Sequence, residues 1–533
     1  MPTDCIPFRD TNYFSELICD YLDENQALQP FYNHFPKLEN FKTQITEKEA
    51  SVTTHTRAVL VEVLQKQYQN VNASTLTLAN IESLGEGQTF TITTGHQLNL
   101  FTGPLYFLYK IISTINLTNE LKAKHPEYNF VPVYWMATED HDFDEIDYFN
   151  FKGKKVKWTR DASGGVGELD TNGLDQVFES YSNQLGHGKN AEFLRDLFKK
   201  AYLEHENLAE ATRYLANALF KDYGLVIIDA NTPDLKRLLI PYIERELLEK
   251  VSYNAVEKTN AELSKISEAY KIQVNPREIN LFYLTKGLRE RIIEKNGSYY
   301  VNDTEIKWSK SELLKHLHEN PERFSPNVIM RPLYQEVILP NLCYIGGGGE
   351  LAYWFELKAY FETVNVPFPM LLLRNSVLVK TEKQTQKIEK LELSLKDLFL
   401  KQEVLINQQV KALSNIDIDF TSQKEHLQNQ FKNLYQLAEV TDKSFLGAVA
   451  AQEKKQLKGL SNLEKRLLKA QKRNLNGHID RITEIQDQLF PGQSLQERNL
   501  NFSELYLEFG DQLIHQLVLN LQALKGEFLI LNL

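Results

Sequence analysis

The chain has 533 residues, 42% of them hydrophobic and 25% charged, with 60 Lys and Arg against 71 Asp and Glu for a net charge of −11. That length exceeds what one hydrophobic core organises and implies two to four domains, and the acidic balance argues against general binding to nucleic acid or anionic membranes. No run of about 18 apolar residues could span a bilayer, the N-terminus lacks the basic and apolar regions of a signal peptide, and Cys5, Cys19 and Cys343 have neither CxxC nor metal-ligand spacing; a cytoplasmic protein with free thiols is expected.

Residues 1–88 read as mostly helical, with apolar residues at helical spacing over Phe14–Leu22 and Ala58–Tyr68, a layer suited to covering a sheet. An α/β core is expected over residues 89–375. It opens with the β-branched run Thr89–Thr93, breaks at Gly95, and passes through Thr102-Gly103-Pro104 into an amphipathic helix, Tyr106–Lys124. A second buried strand, Phe130–Ala137, is expected with Pro132 near its start, and it runs into the acidic stretch Thr138–Asp147. Residues 151–220 read as an insertion, the theme returns with the strand Gly224–Asp229, and 250–325 read as a second insertion with a hairpin at Asn296-Gly297. The core resumes at Phe324–Glu336, continues through Ile338–Glu350 into a helix, and ends in the strand Pro369–Arg374, with Cys343 as strand packing.

From 376 to 490, leucines and isoleucines recur three or four apart in two segments, around Ile388–Leu398 and Leu460–Leu489, separated by the less regular 412–445. This predicts an antiparallel helical hairpin of coiled-coil type. Residues 491–533 read as short helices folding back on the core.

Four polar stretches fall at strand or helix ends, where open α/β sheets build their ligand crevices. Gly95-His96-Gln97 lets backbone approach a ligand and offers a neutral imidazole. Glu139-Asp-His-Asp-Phe-Asp-Glu145 crowds five carboxylates and an imidazole into seven residues, suited to a divalent cation, a general base or an ammonium anchor; its spacing matches neither an EF-hand nor HExxH. Arg331, with Gln335 and Glu336 nearby, suits forked contacts to carboxylate or phosphate. Gly346–Gly349 before a helix suggests a backbone cradle for an anion, although Glu350 at that helix start better suits an amine.

Together, Thr94-Gly-His-Gln97, Leu100-Phe-Thr-Gly-Pro-Leu-Tyr106, Trp135 with Glu139–Glu145, Arg331-Pro-Leu-Tyr-Gln-Glu336, Gly349-Glu350 with Tyr353-Trp354, and Leu495-Gln-Glu-Arg498 resemble the cysteine-adding enzymes of bacillithiol biosynthesis, across essentially the whole chain. The resemblance implies a Rossmann-like parallel-sheet core with two connecting insertions and a C-terminal coiled-coil domain that forms a homodimer. It implies a ligase that joins L-cysteine to glucosamine-malate through an amide bond, with ATP as co-substrate, ADP or another nucleotide as a ligand, and magnesium as the one metal. Catalytic roles are then expected for Asp140, Asp142 and Glu350. Substrate contacts are expected from Thr94, Gly95, His96, Gln97, His141, Arg331, Tyr334, Gln335, Gly348, Gly349 and Tyr353. The competing expectations are a nucleotidyltransferase-like enzyme on another small substrate and a non-enzymatic coiled-coil scaffold.

Overall fold

The computed structural model of the protein describes residues 3–441 and 443–533. At its centre lies a five-stranded sheet of β1 (Thr89–His96), β2 (Asn129–Met136), β3 (Val226–Asp229), β4 (Asn341–Gly346) and β5 (Met370–Leu373). Every pairing is parallel and the spatial order is β5-β4-β1-β2-β3. That is a doubly wound, Rossmann-like order, whose direction reverses between β1 and β4. The strands read as continuous apolar or β-branched runs because both faces are covered: all eight residues of β1 and all six of β4 are buried. Pro132 sits inside β2 rather than at its start. It pairs with Ile92 of β1, but pairing with β3 begins only at Val133, so the proline falls where β2 has a partner on one side.

The helices that position the site are α1 (Tyr106–Lys124), α2 (Pro233–Glu249), α3 (Met330–Ile338) and α4 (Gly348–Phe355). α1 begins two residues after the proline expected to open it. The turn before that proline carries Phe101, Thr102 and Gly103 at positive φ, and Phe101 holds the turn down in an aromatic cluster with Phe149, Tyr181, Phe198 and Phe502.

Residues 148–220 form a two-stranded hairpin and three helices, and residues 281–326 form a second, antiparallel five-stranded sheet. The strands of that inserted sheet are Leu281–Thr285, Leu288–Lys295, Ser298–Val301, Lys307–Ser309 and Phe324–Pro326, with its hairpin turning at Asn296 and Gly297, both at positive φ. Phe324–Pro326, expected to resume the core, instead closes this inserted sheet against Leu281–Tyr283.

Both ends of the chain contribute strands where helix was expected. Thr3–Pro7 pairs with Glu527–Asn532, which lies parallel to Val377–Lys380. The run Phe528-Leu-Ile-Leu531 is buried on both faces, which a strand achieves in four residues and a helix does not.

The C-terminal hairpin has different arms from those expected. Its main arms are α5 (Thr421–Glu439), inside the stretch read as irregular, and α6 (Lys443–Asn474). Lys424 meets Glu464 at 2.6 Å and Tyr435 meets Glu453 at 2.7 Å, so the two run antiparallel. The leucine-rich 382–398 region packs instead on α7 (Asn476–Leu489), with Lys387 and Glu484 2.9 Å apart. Among the described residues no helix is long and apolar enough to cross a membrane.

Candidate active site

The carboxyl ends of β1 and β4, where the strand order reverses, open into a cavity of about 790 Å³. The inserted sheet covers it from the other side, so the cavity lies between the Rossmann-like core and its second insertion.

Gly95 places the β1 end against its neighbours. A side chain there would come within 3.3 Å of the Tyr344 hydroxyl and 3.7 Å of an Arg331 guanidinium nitrogen. Its carbonyl accepts a 2.7 Å hydrogen bond from Lys110 Nζ, on the first turns of α1. Lys110 is buried and lies 2.6 Å from Glu350 Oε1. Glu350 also accepts from the Tyr344 hydroxyl at 2.7 Å and the Gly347 amide at 3.2 Å. Burial pushes the Glu350 carboxyl up, but Lys110 and these hydrogen bonds outweigh it and hold the group below its ordinary value. Burial lowers Lys110 in turn, offset by Glu350. The anion that the glycine run was expected to cradle is thus the chain's own Glu350, capping α4.

His96 is buried against Tyr106 and Phe107, and its Nε2 has no partner. Burial, reinforced by Lys110, holds its pKa well below the ordinary value, so the ring is neutral. It lines the cavity as an uncharged contact.

Gln97 donates from its side-chain nitrogen to Asp140 at 3.1 Å and to Glu145 at 2.7 Å. Asp140 also accepts from the His141 amide at 2.8 Å. Burial alone would raise the Asp140 carboxyl; hydrogen bonds from His141 and Gln97 and the charge of Arg289 hold it well below the usual carboxylate range. His141 Nδ1 lies 2.8 Å from Arg289 Nη1, a group that can only donate. Glu139 is taken up by the buried Lys236 of α2.

Arg331, on α3, crosses the rings of Trp135 and Tyr344, both 5.7 Å away. Its Nη1 donates to Gln335 at 3.1 Å, and its Nη2 is buried without a partner. Behind it a buried relay runs from Gln335 to Glu336 at 2.9 Å and on to Lys48 at 2.8 Å. A buried guanidinium nitrogen without an acceptor is costly, and its fork geometry suits a carboxylate or phosphate oxygen.

Of the residues expected from sequence, Gly95, His96, Gln97, Asp140, His141, Arg331, Glu350 and Tyr353 line this cavity. The others do not. Thr94 is buried in the sheet and donates to the Ile345 carbonyl at 2.7 Å. Tyr334 donates to the Ala230 carbonyl at 2.7 Å, and Gln335 sits behind Arg331, accepting from it and donating to Glu336. Asp142 is exposed ahead of the short helix Phe143–Ile146. Gly348 packs near Ile18 and Phe14, while Gly349 is exposed. Lys110, Lys236, Tyr344 and the arginines of the inserted sheet stand at the site without having been expected there. Lys110 interrupts an apolar helix face, which was the one available signal. Among the described residues no group of three or more His, Cys, Asp or Glu side chains is arranged to hold a metal ion.

Comparison with known proteins agrees over the full length. A family model described as the N-terminal Rossmann-like domain of bacillithiol biosynthesis BshC matches residues 1–375, and one described as its C-terminal coiled-coil domain matches residues 377–533. A protein of Flavobacterium johnsoniae named "Putative cysteine ligase BshC" is 60% identical over the whole of both chains. One of the same name from Christiangramia forsetii is 58% identical over all of this chain and 99% of its own. A more distant one, from Bacillus cereus, is 27% identical over 97% of this chain and 98% of its own. The two domain matches meet where the parallel sheet ends, and with relatives aligned from end to end they show that the chain belongs to the BshC family of bacillithiol biosynthesis.

Proposed function

We propose that the protein is a cysteine ligase that joins L-cysteine to glucosamine-malate through an amide bond, the last step of bacillithiol biosynthesis, with ATP activating the malyl carboxyl group. The observation that carries this reading is the pairing, in one cavity, of the unpartnered Arg331 Nη2 with the ionised Asp140 and Glu350. Amide formation from a carboxylic acid and an amino acid needs both signs of charge close together, an arginine for the carboxylate and carboxylates for the ammonium.

In this reading Arg331 and the neutral His96 hold the malyl carboxyl, and Asp140 and Glu350 receive the cysteine ammonium. A carboxyl whose pKa is held low is a weak base, so Asp140 serves as a charge anchor rather than a proton acceptor. Once the ammonium has given one proton to solvent, the amine attacks the activated carbonyl carbon, and its second proton leaves to solvent as the amide forms. A C–N bond forms, the C–O bond to the phosphorylated leaving group breaks, and the phosphorylated group departs. The backbone amides and the Arg331 guanidinium around the cavity are the groups able to stabilise developing negative charge.

The test is reconstitution with purified glucosamine-malate, cysteine and ATP. Arg331→Ala is expected to lower kcat/KM by about a hundredfold or more, the loss of a charged contact in a dry site, with Asp140→Asn and Glu350→Gln mainly raising KM for cysteine. Wild-type product formation by all three variants would sink the reading. Following phosphate and pyrophosphate release in the same assay identifies how ATP is split.

A further inference from the structure

The cavity is electrically lopsided. On its floor, at the strand ends, Lys110 and Arg331 stand with three carboxylates, Glu139, Asp140 and Glu350; on the wall supplied by the second insertion, three guanidinium groups, Arg277, Arg289 and Arg291, stand with one carboxylate, Glu290. Glu139 is already taken up by the buried Lys236, so the floor is close to neutral while the wall is net positive by two.

The wall is built, not incidental. In the inserted sheet Arg291 lies opposite Phe282 and Arg289 opposite Leu284, so strand alternation puts Phe282, Arg289 and Arg291 on one face. Arg289 is fixed: it lies over the Phe282 ring at 4.1 Å and donates to Ser325 Oγ and the Pro326 carbonyl, both at 3.2 Å, as well as to His141. Arg277 sits in the irregular segment leading into the sheet, and its backbone is clamped on both sides. Its amide donates to Asn280 Oδ1 at 3.0 Å, and its carbonyl accepts from Asn280 Nδ2 at 2.8 Å. Glu356 holds the same segment by accepting from the Gln273 and Val274 amides at 2.7 and 3.2 Å. The backbones of Arg277 and Arg291 are thus held, while among the described residues their guanidinium groups make no hydrogen bond or ion pair. Positioned, uncommitted guanidinium groups on a cavity wall are the arrangement that binds phosphate oxygens in forked fashion.

We propose that this wall is a polyphosphate subsite: Arg277 and Arg291 grip the phosphate chain of a nucleoside triphosphate, with Arg289 as fixed positive charge beside them, while the carboxylates of the floor, Asp140 and Glu350, take the ammonium of the amino-acid substrate. The nucleotide is thereby assigned to the main cavity and to the inserted sheet rather than to the coiled coil. Its role as a co-substrate rests on the ligase reading; the phosphate subsite does not.

The test uses the full-length chain and its Arg277→Ala, Arg291→Ala, double-Ala and double-Lys variants, titrated calorimetrically with inorganic tripolyphosphate, ATP and malate. Each alanine is expected to weaken tripolyphosphate and ATP roughly tenfold and the pair roughly a hundredfold, with lysine restoring part of the loss and malate affinity unchanged. In the amide-forming assay KM for ATP should rise while KM for cysteine stays put. Both side chains are exposed, so the variants should melt with the wild type, and the double-Lys protein keeps the comparison valid if the alanines do not. The proposal is overturned if the wild type does not bind tripolyphosphate, if the double-Ala variant binds it as the wild type does, or if malate affinity falls in parallel. If the wild type forms no amide but still loses tripolyphosphate affinity on substitution, the ligase reading falls and the phosphate subsite stands.

Discussion

Lys110 and Glu350 meet at 2.6 Å under the cavity, the lysine 3% and the glutamate 27% exposed. Removing one member of such a pair strands the other's charge, whereas replacing both removes the need for either. Lys110→Met is therefore expected to destabilise the protein by roughly 2–4 kcal/mol, discounted from the fully buried case because Glu350 reaches solvent. The double variant Lys110→Met/Glu350→Gln should regain much of that stability but none of the activity. Chemical denaturation of the three variants reads this directly. Glu356 behaves in the opposite sense. Burial pushes its carboxyl up to about 7, even though it accepts two backbone N–H bonds. A folded-state value above the unfolded one means the native state binds the extra proton, so stability falls as pH rises from about 4.5 to about 7 and stays low above that. Glu356→Gln keeps an acceptor for the segment that carries Arg277 and should flatten this slope. An unchanged slope in melting temperature against pH would show that Glu356 is not its source.

At the scale of elements, the crevice depends on two close approaches. Gly95 lets β1 end beneath Tyr344 and Arg331, and an alanine Cβ 3.3 Å from the Tyr344 hydroxyl requires that hydroxyl, which donates to Glu350, to give by a few tenths of an ångström. Gly95→Ala should cost about 1–3 kcal/mol of stability, as small overpacking does, and, on the proposed function, lower amide formation more than tenfold, because the displaced groups line the cavity; calorimetric melting alongside the assay separates the two. The other approach is made by the tail. Glu497 accepts from Arg374 at 2.8 Å and from the Val377 amide at 3.2 Å, and Gln496 bonds both ways to Val379 at 2.9 Å. The short helix Gln496–Asn499 thus stitches the end of the coiled-coil region to the strand that follows β5. Glu497 is fully buried, and Glu497→Gln should cost roughly 3–5 kcal/mol.

These elements also show what the sequence could disclose. β1, β2 and β4 announce themselves because a strand covered on both faces must be apolar throughout, and Gly95, Arg331 and Glu350 stand out because nothing in packing calls for them there. Lys110 and Lys236 do not stand out. Each is one polar residue on a helix, where the default expectation is a solvated side chain, and only the tertiary pairing with Glu350 or Glu139 makes it a buried charge. Arg289 and Arg291 are hidden for a related reason. Alternating charge on a short strand reads as a water-facing side, and the inserted sheet turns that side onto the cavity. Asp142 lies exposed in the acidic loop: crowding of carboxylates marks a loop without saying which of them turn inward.

Among the described residues, the hairpin carries several exposed apolar side chains. Along the hairpin, Leu437 of α5 is 56% exposed, Val440 80% and Leu463 of α6 53%, in a protein whose other leucines mostly reach the core. Exposed apolar side chains spread along a long helical pair suit an association face, and α6 alone, at 32 residues, extends about 48 Å. A second copy of the chain, seated along the hairpin, would bury it as a coiled-coil dimer does. The full-length protein should therefore sediment as a dimer, and a chain lacking residues 385–490 as a monomer. Because α7 contributes Ile482, Ile485 and Leu489 to the main core, that deletion also disturbs packing. Leu437→Asp/Val440→Asp in the full chain is the cleaner probe: both side chains are exposed, so the fold should hold while the dimer dissociates. A dimer that survives both changes would place the contact elsewhere than the hairpin.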